Sequence, residues 1–537
     1  MVMNDLSNLD FAEVFPVCRR ILGEPAWLLF VALLAAAKNR DELLLLSKSF
    51  RLPAQETPGY LADLFRLELA VAEAAGDAAC VPATVEALSV NPSLRALEVS
   101  WAGLPQLLAK NEDKEMAGPV SGLALILVWY DPLAGDVRTE EARDEDLLVL
   151  KMVVEEIAAQ EAASVGKVPV AAIEAALDRG VARGIILRPL SQIRRDPADF
   201  PLPSDRDPRS FAAEVFTLQW HVTQVCDLRC KHCYDRSDRA ALPLERGLAV
   251  LDDLAFFCRS RNVQGQVSFS GGNPLLYPHF IELYQAAADR GLATAILGNA
   301  TTKDRLLPLM AIQRPAFYQV SLEGLAEHND YIRGKGYFAR VMDFLDLLQE
   351  FDIYSMVMLT LTRENQEQVL PLAAHLRDRV DLFVFNRLAM VGEGSQLESA
   401  PVTGYREFLE RYLAAAEKNP AMGAKDNLFN IVQDSRGKEL FGGCTGFGCG
   451  AAFNFVSLLP DGEVHACRKF PSPIGNIFSQ SLVEIYDSAS SRKYRAGCQA
   501  CRDCRLRPAC GGCLAVSHGF GLDVFAERDP YCFIENA

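Results

Sequence analysis

No stretch of this 537-residue sequence stays apolar long enough to cross a bilayer, which takes about 20 residues. The run over residues 27–37, WLLFVALLAAA, falls well short and reads as a buried helix. Positive charge is also in short supply: 54 Lys and Arg stand against 70 Asp and Glu, a net charge of −16. A chain so acidic lacks the basic footprint of a nucleic-acid binder. The first residues, MVMNDLSNLDFAEVF, have no basic segment leading into an apolar core, so no secretory signal is expected and the expected compartment is the cytoplasm, with no membrane association. There is no internal repeat at a period of roughly 20–50 residues, which argues against a solenoid.

Cysteine, by contrast, is abundant. Disulfides are rare in a reducing cytoplasm, yet the chain has 15 cysteines, and nine fall between Cys444 and Cys532. Such crowding reads as metal ligation. The isolated Cys18 and Cys80 read as small core residues. Hydrophobic content of 50% beside 23% charged residues is that of a folded globular chain, and the length predicts about two to four domains.

The segment HVTQVCDLRCKHCYDR, residues 221–236, carries Cys226, Cys230 and Cys233 in C-x3-C-x2-C spacing after a short apolar run. Cubane iron–sulfur clusters are held by cysteine sulfurs, and three local thiolates leave one of four irons open to an outside molecule. A zinc site is the competing reading, although zinc motifs more often show paired cysteines or histidines.

In chain order, residues 1–115 read as a helical region, with apolar residues at helical spacing over 11–22, 27–37, 40–50, 60–75 and 81–88. Residues 116–193 start with a hairpin pattern, 124–130 and 136–139 around a turn at 131–135. Helical patterns over 145–162 and 169–183 follow, then an apolar stretch at 184–190. The element order resembles a small winged-helix or leader-peptide recognition module, which would dock a peptide along a strand. Residues 194–210, rich in Pro and alternating charge, read as a linker.

From 211 to 430 strand and helix patterns alternate six times, with strands at 215–222, 263–270, 293–297, 317–322, 354–361 and 380–387. That alternation predicts an α/β fold with a parallel sheet closed or half-closed into a barrel. Chemistry in such barrels sits at the carboxyl ends of the strands. The cysteine loop, Gly271–Pro274 (GGNP), 298–302 (GNATT) and 321–324 (SLEG) all fall on that rim.

These motifs together resemble the radical S-adenosylmethionine enzymes, with a partial (β/α)6 barrel. The resemblance implies that Cys226, Cys230 and Cys233 hold a [4Fe–4S] cluster whose open iron binds the amino and carboxylate groups of S-adenosyl-L-methionine. An electron then yields a 5′-deoxyadenosyl radical that abstracts hydrogen, the cofactor carrying the hard chemistry. By position, His232 would lie near the adenine, and Gly271, Gly272, Asn273 and Pro274 would receive the amino group. Glycine permits close backbone approach there. The family usually has Glu where this chain has Asn273, so a side-chain carboxylate is lost. Ser321 and Arg333 match positions that contact ribose or carboxylate, with Asn299 and Glu323 as further candidates. A structural salt bridge is the competing reading of Arg333.

The C-terminal cysteines, residues 431–537, resemble the SPASM extension, with one gap a residue short. The resemblance implies that Cys444, Cys449, Cys467 and Cys513 hold one auxiliary [4Fe–4S] cluster. Cys501, Cys504, Cys510 and Cys532 would hold a second, and Cys498 is left over. Glu323, Asp461 and Asp529 are candidate bases. SPASM enzymes include maturases of ribosomally made peptides, among them selenobiotic-type maturases, and of sulfatases. The implied function is modification of a peptide or protein side chain, with a leader segment on the substrate and flavodoxin or ferredoxin as electron donor. The alternatives are a formylglycine-forming sulfatase maturase and, from another class, a non-catalytic iron–sulfur electron carrier or redox sensor.

Overall fold

The computed structural model describes residues 10–52, 56–108, 118–200, 211–440, 443–445 and 448–534. The chain divides into two compact units, residues 1–166 with 173–190, and 167–172 with 191–537. Residues 201–210 of the expected linker lie outside the described residues.

In the first unit the helices Pro16–Leu34, Arg40–Ser49 and Leu61–Gly76 form as the apolar spacing predicts. Gly23, at φ +70°, interrupts the first of them where sequence punctuation places a break. Asn39 caps the second by accepting from Glu42 N at 3.0 Å. The expected helix over 81–88 is absent, and strand β1 (Ser89–Val90) follows that segment directly. Pro82 pushes the preceding Val81 out of the helical region, and the β-branched Val81, Thr84 and Val85 lower helix propensity there. β2 (Arg95–Ala102) lies inside the region read as helical. It pairs antiparallel with β3 (Val120–Asp131), which pairs in turn with β4 (Asp136–Glu141). The hairpin thus has a third strand, and the sheet straddles the boundary drawn at 115/116. Ile126 and Val128 of β3 join the core formed by Phe15, Phe30 and Phe65. Trp129, on the other face, donates from its indole to Arg183 O at 2.8 Å. The helical pattern at 145–162 is two helices, Asp144–Val154 and Ala159–Gly166, separated where Glu156 takes φ +55°. β5 (Ile186–Leu187) pairs with β1.

The second unit is built on one open sheet. β6 (Val215–Thr223), β7 (Gln264–Gly271), β8 (Ala293–Leu297), β9 (Tyr318–Ser321), β10 (Ser355–Leu361) and β11 (Leu382–Arg387) run parallel in consecutive order. Helices including Leu244–Ser260, Phe280–Asp289, Lys303–Ile312, Tyr337–Glu350 and Val369–Leu376 connect them. The sheet continues past β6: β12 (Phe455–Leu458) adds in parallel, then β13 (Glu463–His465) and β14 (Pro473–Asn476) antiparallel. The cysteine-rich extension therefore shares the barrel's sheet.

Strand period two sorts the side chains. Phe216, Leu218, Trp220 and Val222 of β6 are fully buried in the core, while Thr217, Gln219 and His221 line a central cavity. On β10, Val357, Leu359 and Leu361 are fully buried in the core, while Met356, Met358 and Thr360 line the cavity. Among the described residues no helix is long and apolar enough to cross a membrane.

Candidate functional site

The cavity occupies about 1000 Å³ and runs from the strand starts to the rim at the strand ends. Cys226, Cys230 and Cys233 line it from the loop after β6, as do Gly271, Gly272, His232, Asn299, Ser321 and Arg333. The cysteine loop is tied down by backbone bonds. Cys233 N donates to Cys230 O at 3.2 Å and Lys231 N to Ile332 O at 3.0 Å. Leu228 N points at Cys226 Sγ, 3.4 Å away.

The end of β7 folds back on that loop: Gly272 N donates to Thr223 O and Asn273 N to Val225 O, each at 2.8 Å. The approach is so close that a Cβ on Gly271 would stand 2.2 Å from Thr223 O, and one on Gly272 2.3 Å from Val225 O. Glycine is required at both positions. Asn273 caps the short turn Pro274–Leu276 and is buried, so it braces the loop from behind.

Arg333 sits between Glu323 and the cysteines. Its guanidinium donates to Glu323 Oε1 at 2.9 and 2.6 Å, lies 3.3 Å from His232 Nε2, and reaches Cys230 Sγ at 3.7 Å. The residue both forms a buried ion pair and faces the cavity. Burial pushes the Glu323 carboxyl up, but His232 and Arg333 outweigh it and hold it at about 2. So paired, Glu323 is no proton acceptor. The other two candidate bases are also engaged: Asp461 takes Arg239 at 2.7 Å, and Asp529 takes Arg387 through both oxygens at 2.7 Å.

The C-terminal cysteines fall into two groups. Cys444, Cys449, Cys467 and Cys513 line the large cavity. Cys501, Cys504, Cys510 and Cys532 surround a separate small cavity, closed by apolar residues such as Leu428, Ile431 and Leu506. The two groups have the same members as the two sets that the SPASM resemblance implies, and Gly511 and Gly512, in the short gap between Cys510 and Cys513, both take positive φ. Cys498 is buried, touches Cys501, and donates to Glu527 O at 3.0 Å. Each set is a donor array of soft sulfurs suited to iron–sulfur clusters. Burial raises the free thiols, Cys467 and Cys501 to about 12 and Cys449 to about 11, so ligation has to expel protons.

Several residues in the cavity wall carry no sequence motif. Arg387, at the end of β11, is buried between Asp426 and Asp529, and Asp529 accepts Cys513 N at 2.8 Å. Arg468 pairs with Asp235 and donates to His221 Nε2 at 3.2 Å, linking the loop of Cys467 to that of Cys233. Burial, reinforced by Arg468, drives His221 well below its usual range, so it is neutral. The one sequence signal was adjacency: Asp235 and Arg468 stand within two residues of candidate ligands.

Residues 220–376 match the model of the Radical SAM superfamily, and residues 449–513 match that of SPASM, an iron-sulfur cluster-binding domain. An AdoMet-dependent heme synthase of Methanosarcina barkeri is 27% identical over 59% of this chain and 95% of its own length. The mycofactocin maturase MftC of Mycolicibacterium smegmatis is also 27% identical, over 59% of this chain and 82% of its own. Streptococcus suis SuiB, in a crystal structure with its precursor peptide SuiA, shares the fold at a TM-score of 0.50 and 18% identity, covering 76% of this chain and 96% of that one. The two matched segments cover the rim loops and the C-terminal cysteines from Cys449 to Cys513, with Cys444 and Cys532 outside them, and they name the same cofactors as the donor sets. This chain is a radical S-adenosylmethionine enzyme with a SPASM extension, its cofactors S-adenosylmethionine and [4Fe–4S] clusters.

Proposed function

We propose that the enzyme modifies a side chain of a peptide or protein, as a maturase of a ribosomally made precursor. The observation carrying this reading is the inner wall of the barrel. Beside apolar Phe317, Met356 and Met358, its inward positions include the uncharged amides and hydroxyls Thr217, Gln219, Gln266, Gln319, Thr360 and Asn386. Such groups complement the donors and acceptors of a peptide backbone. Most cations in the wall are already engaged. Arg333, Arg387, Arg468 and Arg236 pair with Glu323, with Asp426 and Asp529, with Asp235 and with Glu393, and Lys425 donates to Cys444 O. Among the described residues that leaves Arg229, Lys425 and Lys469 without a carboxylate partner. A tetrapyrrole bearing several carboxylates, the kind of substrate suggested by the heme synthase relative, would call for more.

With the cofactors bound, reductive cleavage of S-adenosylmethionine supplies a 5′-deoxyadenosyl radical at the rim. Cys226, Cys230 and Cys233 would hold the radical-generating cluster, Gly271 and Gly272 would admit the cofactor's amino acid end, and Arg333 and Ser321 would flank it. The buried pairs around Arg387 and Arg468 fix the wall beside the auxiliary cysteines and exclude water from it. The strand edges β2 and β4 of the first unit offer a dock for a leader segment by strand addition. A flavodoxin or ferredoxin would supply the electron.

The test is anaerobic reconstitution, reduction, and incubation with S-adenosylmethionine and any short precursor peptide encoded beside this gene. A mass change on the peptide with formation of 5′-deoxyadenosine is expected. Turnover of Fe-coproporphyrin or of a sulfatase peptide instead, with the precursor unchanged, would sink the proposal. A failure to form 5′-deoxyadenosine under any reducing condition would remove catalysis itself.

A further inference from the structure

Asp227, the residue after Cys226, stands where two buried amides converge. Asn273 donates from Nδ2 to Asp227 Oδ1 at 2.9 Å, and Asn299 donates from Nδ2 to the same oxygen at 2.6 Å. Both amides are held in that orientation from their other ends. Asn273 Oδ1 accepts Leu275 N at 3.3 Å, and Asn299 Oδ1 accepts the Tyr337 hydroxyl at 3.4 Å. The Asn299 backbone is fixed as well, its carbonyl accepting the Tyr318 hydroxyl at 2.8 Å. Asn273 and Asn299 are buried, at 4% and 7% exposure, whereas Asp227 remains exposed. Two donors fall on Oδ1, and neither falls on Oδ2. No Lys, Arg or His among the described residues makes an ion pair with this carboxylate. Two buried asparagines thus hold an acidic side chain in place, beside the cysteine loop and the Gly271–Gly272 approach, with no cation to neutralise it.

We propose that Asp227 supplies the carboxylate that receives the α-ammonium of S-adenosylmethionine, in place of the one missing at Asn273. The two positions have exchanged chemistry: the strand-end residue has become a neutral donor, and the negative charge has moved onto the cysteine loop. Asn273 is then a positioning residue that orients Asp227. A charge-assisted bond from an ammonium to Oδ2 would complete the carboxylate's hydrogen bonding. The assignment is independent of the final substrate and rests only on the cofactor.

The experiment measures S-adenosylmethionine affinity of the cluster-loaded full-length protein, by equilibrium binding and by the change in the reduced cluster's EPR signal on cofactor addition. Asp227→Asn should keep its iron and lose affinity by about tenfold or more, the scale of a hydrogen bond to a charged group. The double variant Asp227→Asn with Asn273→Glu should regain affinity to within a few-fold. An S-adenosylmethionine analogue lacking the amino group should bind the wild type and Asp227→Asn alike. Wild-type affinity in Asp227→Asn, or an equal loss in the single and double variants, would overturn the assignment. If Asp227→Asn does not load its cluster, the double variant decides alone: near-wild-type affinity supports the proposal and a tenfold loss refutes it.

Discussion

Glu323 and Arg387 show how single buried charges shape this site. Glu323 is 2% exposed, and its carboxyl is held near 2 by His232 and Arg333 against the opposing effect of burial. An unfolded glutamate titrates near 4.3. A carboxyl depressed on folding adds stability that is fully present above the unfolded value and is lost as pH falls through the folded one. Thermal melts should therefore show a steep loss between about pH 4 and pH 2, and Glu323→Gln should flatten that limb while lowering stability at neutral pH. Arg387 is fully desolvated between two aspartates. Arg387→Met would leave Asp426 and Asp529 facing each other without a cation, at a cost of about 3–5 kcal/mol. Denaturant titration should register that cost, with iron lost from the site of Cys513, whose N–H Asp529 accepts. The pairing of Arg387 with Asp529 could not be read from sequence, since the two are 142 residues apart. Arg333 was legible as a site candidate, but its double role was not.

At the level of elements, the glycines at the end of β7 matter most. Their motif was legible because only glycine tolerates such a close approach, and the structure supplies the obstacle, the carbonyls of Thr223 and Val225. Gly272→Ala should push the cysteine loop away from β7, costing about 1–3 kcal/mol in stability as overpacking does. It should also weaken S-adenosylmethionine binding, read by the same EPR titration. The six parallel strands were legible from their regular alternation with helices, and on β6 and β10 a fully buried apolar face also alternates with the cavity face at period two. β2 was not, because the sequence RALEVSWA also suits a helix and its partner β3 lies beyond residues 109–117. The segment 81–88 was misread for the converse reason: apolar spacing matched a helix while proline and β-branched residues opposed one.

Over the whole molecule, eleven cysteines fall into three sets, one on the rim loop, one on the large cavity and one around a small closed cavity. Cys498 is outside all three, bonded to Glu527 O. Iron analysis of the reconstituted protein should give about 12 irons per chain for three cubanes. Cys510→Ser should lower that count by about four, and Cys498→Ser should leave it unchanged. Loss of one whole cluster in Cys498→Ser would make it a ligand. Cysteine spacing, strand–helix alternation and the glycine motif are local properties, and the sequence by itself determined from them the barrel and the cluster motifs, while the family resemblance they carry implied the cofactor. Tertiary structure alone decided which carboxylate neutralises which arginine, how the extension joins the barrel's sheet through β12, and that Asp227 is held by Asn273 and Asn299. Those facts depend on contacts between residues tens to hundreds of positions apart, and local pattern carries no record of them.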